Sequence, residues 1–282
     1  MKVEERLIEA RLRAPFVSAR GSIDSVSLRL VTVTDDDRVV GHGETLEDAR
    51  WDLAGRKAGQ PVWQLLGAHE APRVEVNATI ASDPPVAAAT AFRCVKVKVG
   101  VGDDLARVKA VRAAVGSGTS IRLDANGVWS VEEALDALDA LEPLGIELCE
   151  QPCDGVEACA RVAEASPVPI ALDESAPDAL DDRVCDAVCL KISRSGGISG
   201  VVDAARRARV AGYRVYLASM LDGPLGIAAA LHAAAVVRPD YACGLATLAL
   251  FEGRSDPLPP SAGRIAVPSG PGLGNGLLRW YD

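Results

Sequence analysis

Two lysines separated by one valine, Lys96 and Lys98 in the stretch CVKVKVG at residues 94–100, are the first residues in this chain that invite chemistry. In a strand, positions i and i+2 share a face, so both ammonium groups point the same way. The valines around them suit a buried strand. Buried lysine is costly unless paired, and its pKa moves readily, which makes it a base available near neutral pH. The fragment also fits an edge strand with two solvated lysines, and by itself leaves both readings open.

Carboxylates follow at regular intervals. Asp124 lies in SIRLDAN (120–126), Glu150 in IELCEQP (146–152) and Asp173 in VPIALDE (168–174), and a further lysine, Lys191, lies in AVCLKIS (187–193). Ser219 and Gly244 take the corresponding places in YRVYLAS (213–219) and YACGLAT (241–247). From Lys98 onward the steps are 26, 26, 23, 18, 28 and 25 residues. Three carboxylates brought to one spot need compensating positive charge. Oxygen donors with open positions suit Mg²⁺, with Mn²⁺ as a substitute. Any one of these acids alone also fits a helix N-cap or an exposed loop. The register of all three, with a lysine on each flank, favours a site.

The elements that must position these residues are legible in the pattern. Beginning with VEVNATI (74–80), short β-branched runs alternate with Ala-rich amphipathic stretches at 104–116, 130–145, 156–165, 198–212 and 225–237. Ser130 and Glu133 form a capping box at the start of one of them. Eight strands in such an alternation predict a closed parallel barrel of the TIM type, whose chemistry sits at the C-terminal ends of the strands. No glycine-rich phosphate loop follows the first strand, which argues against an open dinucleotide-binding sheet. Residues 1–72 break the rhythm. VSLRLVTVTDDDRVVGHGETL (26–46) predicts an antiparallel hairpin, and 46–67 predicts a helix, a break at Gly59–Pro61 and a second short helix. The expected organisation is an α/β chain. Residues 73–254 form the barrel, and 1–72 plus 255–282 form a small, truncated α+β cap built from both chain ends.

Composition narrows the partners. The net charge is -9 and no block of Lys or Arg occurs, which argues against nucleic acid and anionic membranes and leaves a small molecule as the partner. Cys149/Cys153 and Cys185/Cys189 are each separated by three residues, not the two of a zinc knuckle, so the seven cysteines are expected as reduced, buried thiols. His42, His69 and His232 sit in the N-terminal region or on a helix, and a G-x-S-x-G elbow is missing, so a Ser-His-Asp hydrolase is not expected. A charged start and the lack of a long apolar run predict a cytoplasmic protein.

Together, the Lys-x-Lys of KVKVG, RLDANG (122–127), CEQP (149–152), ALDES (171–175), LKISRSGG (190–197) and the tail PSGPGLG resemble the enolase superfamily, in its muconate-lactonizing-enzyme subgroup. They run in the right order over most of the chain. The resemblance implies a modified (β/α)7β barrel under a capping domain. It also implies Mg²⁺ on Asp124, Glu150 and Asp173, with Lys98 and Lys191 on opposite faces of the substrate. Lys98 is then the base, and Lys96 the neighbour whose charge helps keep it deprotonated. The implied chemistry is removal of a proton α to a carboxylate, the superfamily example that general accounts of enediolate stabilisation use.

Within that subgroup the candidates are o-succinylbenzoate synthase, a carbon–oxygen lyase of menaquinone biosynthesis, N-acylamino acid racemase, dipeptide epimerase and muconate cycloisomerase. Dipeptide epimerases carry an Asp-x-Asp on the last strand, whereas this chain reads CGLATLALF (243–251). ASMLDGPLG (218–226) is similar to the synthases, in which a serine and a glycine backbone hold the succinyl carboxylate, here Ser219 and Gly244. The cap lacks most of the helical segment usually found between GHGETL and DLAGRK, so PFVSARGS (15–22) is expected to cover the barrel mouth. The synthase is the expected activity.

Overall fold

The computed structural model describes residues 1–81 and 91–282. Strands β1 (Lys2–Ser18), β2 (Gly21–Thr34) and β3 (Val40–Gly43) form an antiparallel sheet in the order β1-β2-β3, in which Val31 and Val33 are buried. The hairpin expected over 26–46 is β2–β3. The long first strand was not expected, because MKVEERLIEARLR carries charges on both faces and its alternation is weak. Helix α1 (Leu46–Ala58) starts at Thr45, whose side chain accepts from Asp48 N, and stops at Gly59 in the left-handed region (φ 65°). After Pro61 comes the short α2 (Val62–Leu65).

VEVNATI divides into two elements. Its first half, β4 (Arg73–Glu75), pairs antiparallel with β12 (Arg264–Ala266) from the tail, and only β5 (Ala78–Ile80) joins the parallel sheet. That sheet continues through β6 (Cys94–Lys98), β7 (Ser120–Asp124), β8 (Ile146–Glu150), β9 (Ile170–Leu172), β10 (Ala187–Lys191) and β11 (Arg214–Ala218) in chain order. Its two edges are joined by residues rather than by a full eighth strand. Cys243 bridges Val76 and Gly244 bridges Ala218, with Cys243 N donating to Glu75 O at 2.7 Å and Gly244 N to Leu217 O at 2.8 Å.

The connecting helices are α3 (Asp104–Val115), α4 (Val131–Leu141), α5 (Val156–Ala165), α6 (Ile198–Ala211) and α7 (Pro224–Val237). The expected capping box of Ser130 and Glu133 is present. Helix α7 is apolar on all sides because it is buried on all sides. Its His232 accepts the backbone N–H of Trp63 at 3.1 Å, and burial lowers its imidazole to a pKa of about 4. The tail closes on the cap: Leu273 N donates to Asp52 of α1 at 2.7 Å, and Val62 N donates to Gly272 O at 3.0 Å. All seven cysteines are free and buried. No helix among the described residues is long and apolar enough to cross a membrane.

Inside the barrel, Leu148, Ala171, Ala187, Cys189, Tyr216 and Ala218 pack together. At the N-terminal end, Arg122 fills the lumen. Its guanidinium lies 5.0 Å from the rings of both Tyr216 and Tyr241 and donates to Ala242 O at 2.6 Å and to Glu147. A buried cation between two aromatic faces, with its donors satisfied, makes this end a packed plug. The chemistry is left to the other end.

Candidate active site

Strand register brings the expected residues together. Lys98 pairs with Asp124 and Asp124 with Glu150 across β6, β7 and β8, so three neighbouring strand ends present an ammonium and two carboxylates at one level. Lys191 ends β10, four strands round the ring from β6, and so faces Lys98 from the opposite wall. The edge-strand alternative for CVKVKVG does not hold, because β6 lies between β5 and β7 and every one of its residues is buried.

The ammonium groups are all engaged. Lys96 Nζ lies 2.8 Å from Asp124 Oδ2 and 2.9 Å from Glu150 Oε1, and Lys98 Nζ lies 2.6 Å from the same Asp124 oxygen and 2.8 Å from Asn126 Oδ1. Lys191 pairs with Asp173, whose other oxygen has Arg194 Nη1 at 3.5 Å. Burial alone would lower the Lys96 ammonium, but Asp124 and Glu150 outweigh it and hold the group well above its ordinary value. Lys191 is likewise pulled down by burial and raised, on balance, by Asp173. Burial works to raise the Asp124 carboxyl, yet Lys96 and Lys98 leave it far below the usual range. Glu150 stays raised, with burial the largest cause.

One grouping differs from the sequence expectation. Side-chain atoms of Glu150, Asp173 and Cys189 lie within 4.8 Å of one another, whereas Asp124 is turned to the two lysines. Cys189 arrives there because Leu172 pairs with Val188, which sets Asp173 beside Cys189, two residues before Lys191 on the same face. The donor set nonetheless fits a hard divalent cation. It is rich in buried carboxylate oxygen, and the buried Asp173 Oδ1 accepts no hydrogen bond among the described residues, the Arg194 guanidinium standing off at 3.5 Å.

Several site residues were not singled out in the sequence, although signals existed. Gln151 follows β8 directly, Asn126 lies two residues past β7, and both take positive φ (43° and 51°), a conformation held at some cost. Gln151 Oε1 accepts from Asp173 N at 2.9 Å and Ser175 N at 3.2 Å, fixing the turn that carries Asp173. Tyr216, two residues before Ala218 on the inward face of β11, donates to Glu150 Oε2 at 2.8 Å. Arg20 reaches from the β1–β2 turn to Asn126 O at 2.8 Å.

Above these groups lies a cavity of about 390 Å³. Its walls include Lys96, Lys98, Lys191, Asp124 and Glu174, and Phe16, Ser18, Arg20, Ser22 and Ile23 form its roof, so PFVSARGS does lie over the barrel mouth. Ser219 and Gly244 also line it. The Gly244 N–H is given to Leu217 O, so Gly244 borders the cavity with its backbone donor already engaged. The Ser219 hydroxyl, paired with Thr247 Oγ1 at 3.3 Å and accepting from Asp222 N at 2.8 Å, keeps a proton to offer the cavity. A larger cavity, about 480 Å³, opens at the opposite end between Arg73–Glu75 and Arg238–Tyr241, the end where barrels carry stability rather than catalysis.

Residues 85–279 match the family described as enolase C-terminal domain-like. The o-succinylbenzoate synthase of Thermobifida fusca is 37% identical over 240 residues, covering 78% of this chain and 74% of the synthase. The L-Ala-D/L-Glu epimerase of Bacillus subtilis is 33% identical over 255 residues, covering 81% of this chain and 69% of the epimerase. Among solved structures, the dipeptide epimerase of Cytophaga hutchinsonii, complexed with Mg and the dipeptide D-Ala-L-Val, superposes with a TM-score of 0.86 at 27% identity, over 98% of this chain and 95% of that one. Synthases and epimerases are thus similarly related to this chain.

Proposed function

Because the chain belongs to the enolase superfamily, in its muconate-lactonizing-enzyme subgroup, we propose that it is an o-succinylbenzoate synthase. In this reading it dehydrates 2-succinyl-6-hydroxy-2,4-cyclohexadiene-1-carboxylate to 2-succinylbenzoate by syn elimination, a step of menaquinone biosynthesis. The observation that supports it best is the charge of the cavity wall. Lys96, Lys98, Lys191, Arg20 and Arg194 line it against two acids, Asp124 and Glu174, and the segment Gly244–Phe251 supplies no acid. A dianionic substrate suits such a wall, whereas a substrate ammonium, as in a dipeptide, finds no carboxylate from the last strand.

Asp124, Glu150 and Asp173 would hold Mg²⁺, or Mn²⁺ in its place, which when bound supplies the charge that stabilises an enediolate as it forms on the substrate carboxylate. Lys98, oriented by Asn126 Oδ1, takes the α-proton on its Nζ. The C–H electron pair passes into the enediolate and returns to form the new ring double bond when the C–O bond breaks. The same lysine returns its proton to the departing hydroxyl, since syn geometry places both groups on one face. Lys191 presents a cation to the opposite face, and Lys96 remains a cation because two carboxylates flank it. The Ser219 hydroxyl donates to the succinyl carboxylate, and Gly244 leaves room for it. Residues 73–254 carry this chemistry, and 1–72 with 255–282 cover it.

A second reading, N-acylamino acid racemase, draws on the placement of Lys98 and Lys191 on opposite walls, which two-sided proton transfer requires. The experiment that tests the synthase is direct: the purified chain with Mg²⁺ is given the cyclohexadiene substrate and aromatisation is followed by absorbance.

A further inference from the structure

The cap turn GETLED (43–48) inserts carboxylates into the N-termini of two barrel helices. Asp48 Oδ1 accepts from Ile198 N at 3.0 Å and Glu47 Oε1 from Ser199 N at 3.2 Å, at the start of α6. Glu44 Oε2 accepts from Gly223 N at 3.1 Å at the start of α7, and its other oxygen accepts from the hydroxyl of Tyr281, which itself accepts from Leu225 N at 2.9 Å. The approach is close enough to require glycine. A Cβ on Gly226 would lie 2.8 Å from Glu44 Oε2 and 2.8 Å from Asp222 Cβ, and one on Gly223 would lie 2.8 Å from the Tyr281 hydroxyl.

The segment held in this way faces the cavity. Ser219, Met220 and Leu221 line it, and Leu221 has φ 66°, which is strained for a branched residue and persists only when its surroundings enforce it. Asp222 folds back on the loop, accepting from Met220 N at 3.2 Å while its own N–H goes to Ser219 Oγ. We propose that Glu44 is a positioning residue: by tying Gly223 and the start of α7 to the cap and to Tyr281, it holds the Ser219–Gly223 loop in its strained form and so sets the affinity of the cavity for its ligand.

The clasp is sensitive to proton number. Glu44 and Asp222 both crowd the Cβ side of Gly226, and burial followed by the charge of Asp222 raises the Glu44 carboxyl to about 8. The other ionisable groups facing the pair are Tyr281 on the C-terminal turn, Asp48 on α1 and Lys191 on β10, of which Lys191 alone is a cation. Near neutral pH Glu44 keeps its proton. Above about pH 8 Glu44 releases that proton beside the Asp222 carboxyl, and the added negative charge loosens the loop.

Amide hydrogen exchange of the 216–226 segment, corrected for the chemical rate at each pH, tests this without reference to any substrate. From about pH 6 to about pH 9.5 the wild-type chain should lose protection there by at least about tenfold, the equivalent of one pKa unit of interaction. Glu44→Gln, which keeps an acceptor but cannot ionise, should show no such loss, and Asp222→Asn should flatten the profile in the same way if the Gln variant fails to fold. If the synthase reading also holds, KM of the wild type at the alkaline end should exceed that of Glu44→Gln by a similar factor while kcat of the two agrees. Equal alkaline loss of protection in wild type and both variants, or no loss in the wild type, would overturn the proposal while leaving the synthase reading standing.

Discussion

Lys96 and Lys98 converge on one oxygen, Oδ2 of Asp124, at 2.8 and 2.6 Å. A period-2 strand buried on both sides explains the pair, since both side chains must point into the lumen, where only carboxylates can compensate them. The two lysines are not equivalent. Lys96 also reaches Glu150, whereas Lys98 continues to Asn126 and lies 5.8 Å from the Phe16 ring at the edge of the cavity.

That difference predicts separable phenotypes. Lys98→Ala should abolish exchange of the substrate α-proton with deuterated solvent. Lys96→Ala should retain exchange at a lower rate, because Asp124 and Glu150 lose the cation between them while the base itself is kept. Undiminished exchange in Lys98→Ala would show that another group is the base.

Asp124, Glu150 and Asp173 predict a metal requirement. Excess EDTA should abolish activity, and Mg²⁺ or Mn²⁺ should restore it. Asp124→Asn, Glu150→Gln and Asp173→Asn should each weaken Mg²⁺ binding, measured by calorimetry, by at least about tenfold, the lower end of what loss of even an outer partner costs. Full activity in EDTA would rule out the metal.

Gln151 offers a test on stability. Gln151→Leu leaves Asp173 N and Ser175 N buried without their acceptor. At about 1–3 kcal/mol for each unpaired group, urea unfolding should show a loss of roughly 2–6 kcal/mol. A loss within about 0.5 kcal/mol would mean that the turn carrying Asp173 is held by other contacts.

The barrel was largely legible because its cues are local: β-branched runs, a capping box, and one charged residue per strand end. What stayed hidden depended on three-dimensional neighbours. β1 has little alternation of its own and is held by its antiparallel pairing with β2. The division of VEVNATI into β4 and β5 depends on β12, which lies nearly two hundred residues away. Cys189, two residues before Lys191 on the inward face, was visible in principle, whereas Tyr216 lies three residues before Ser219 and out of step with it. Their proximity to Glu150 nevertheless required the register of β9, β10 and β11, which no single strand encodes.

Asp48 predicts a pH dependence of stability. Burial raises its folded carboxyl from 3.8 to about 7, so the folded state holds a proton that the unfolded chain has released. Its stabilising contribution is full below about pH 4 and is lost as pH rises towards 7. Asp48→Asn, which still accepts from Ile198 N, should make the fall in Tm over that range shallower. An unchanged slope would mean that the carboxyl is ionised throughout.

Lys191→Arg separates the two readings of the site. Arginine keeps the positive charge but does not give up its proton at working pH. A synthase, which uses this position as a cation, should retain a measurable fraction of its activity, whereas a racemase should lose racemisation in both directions.

The most direct test of the synthase account compares two rates on the same Mg²⁺-loaded protein: aromatisation of 2-succinyl-6-hydroxy-2,4-cyclohexadiene-1-carboxylate and racemisation of N-succinylamino acids. The account predicts kcat/KM of at least ~10⁴ M⁻¹s⁻¹ for the first, the lower end of ordinary enzymes, and a far smaller value for the second. Efficient racemisation with the cyclohexadiene left untouched would contradict it and assign the site to the racemase reaction.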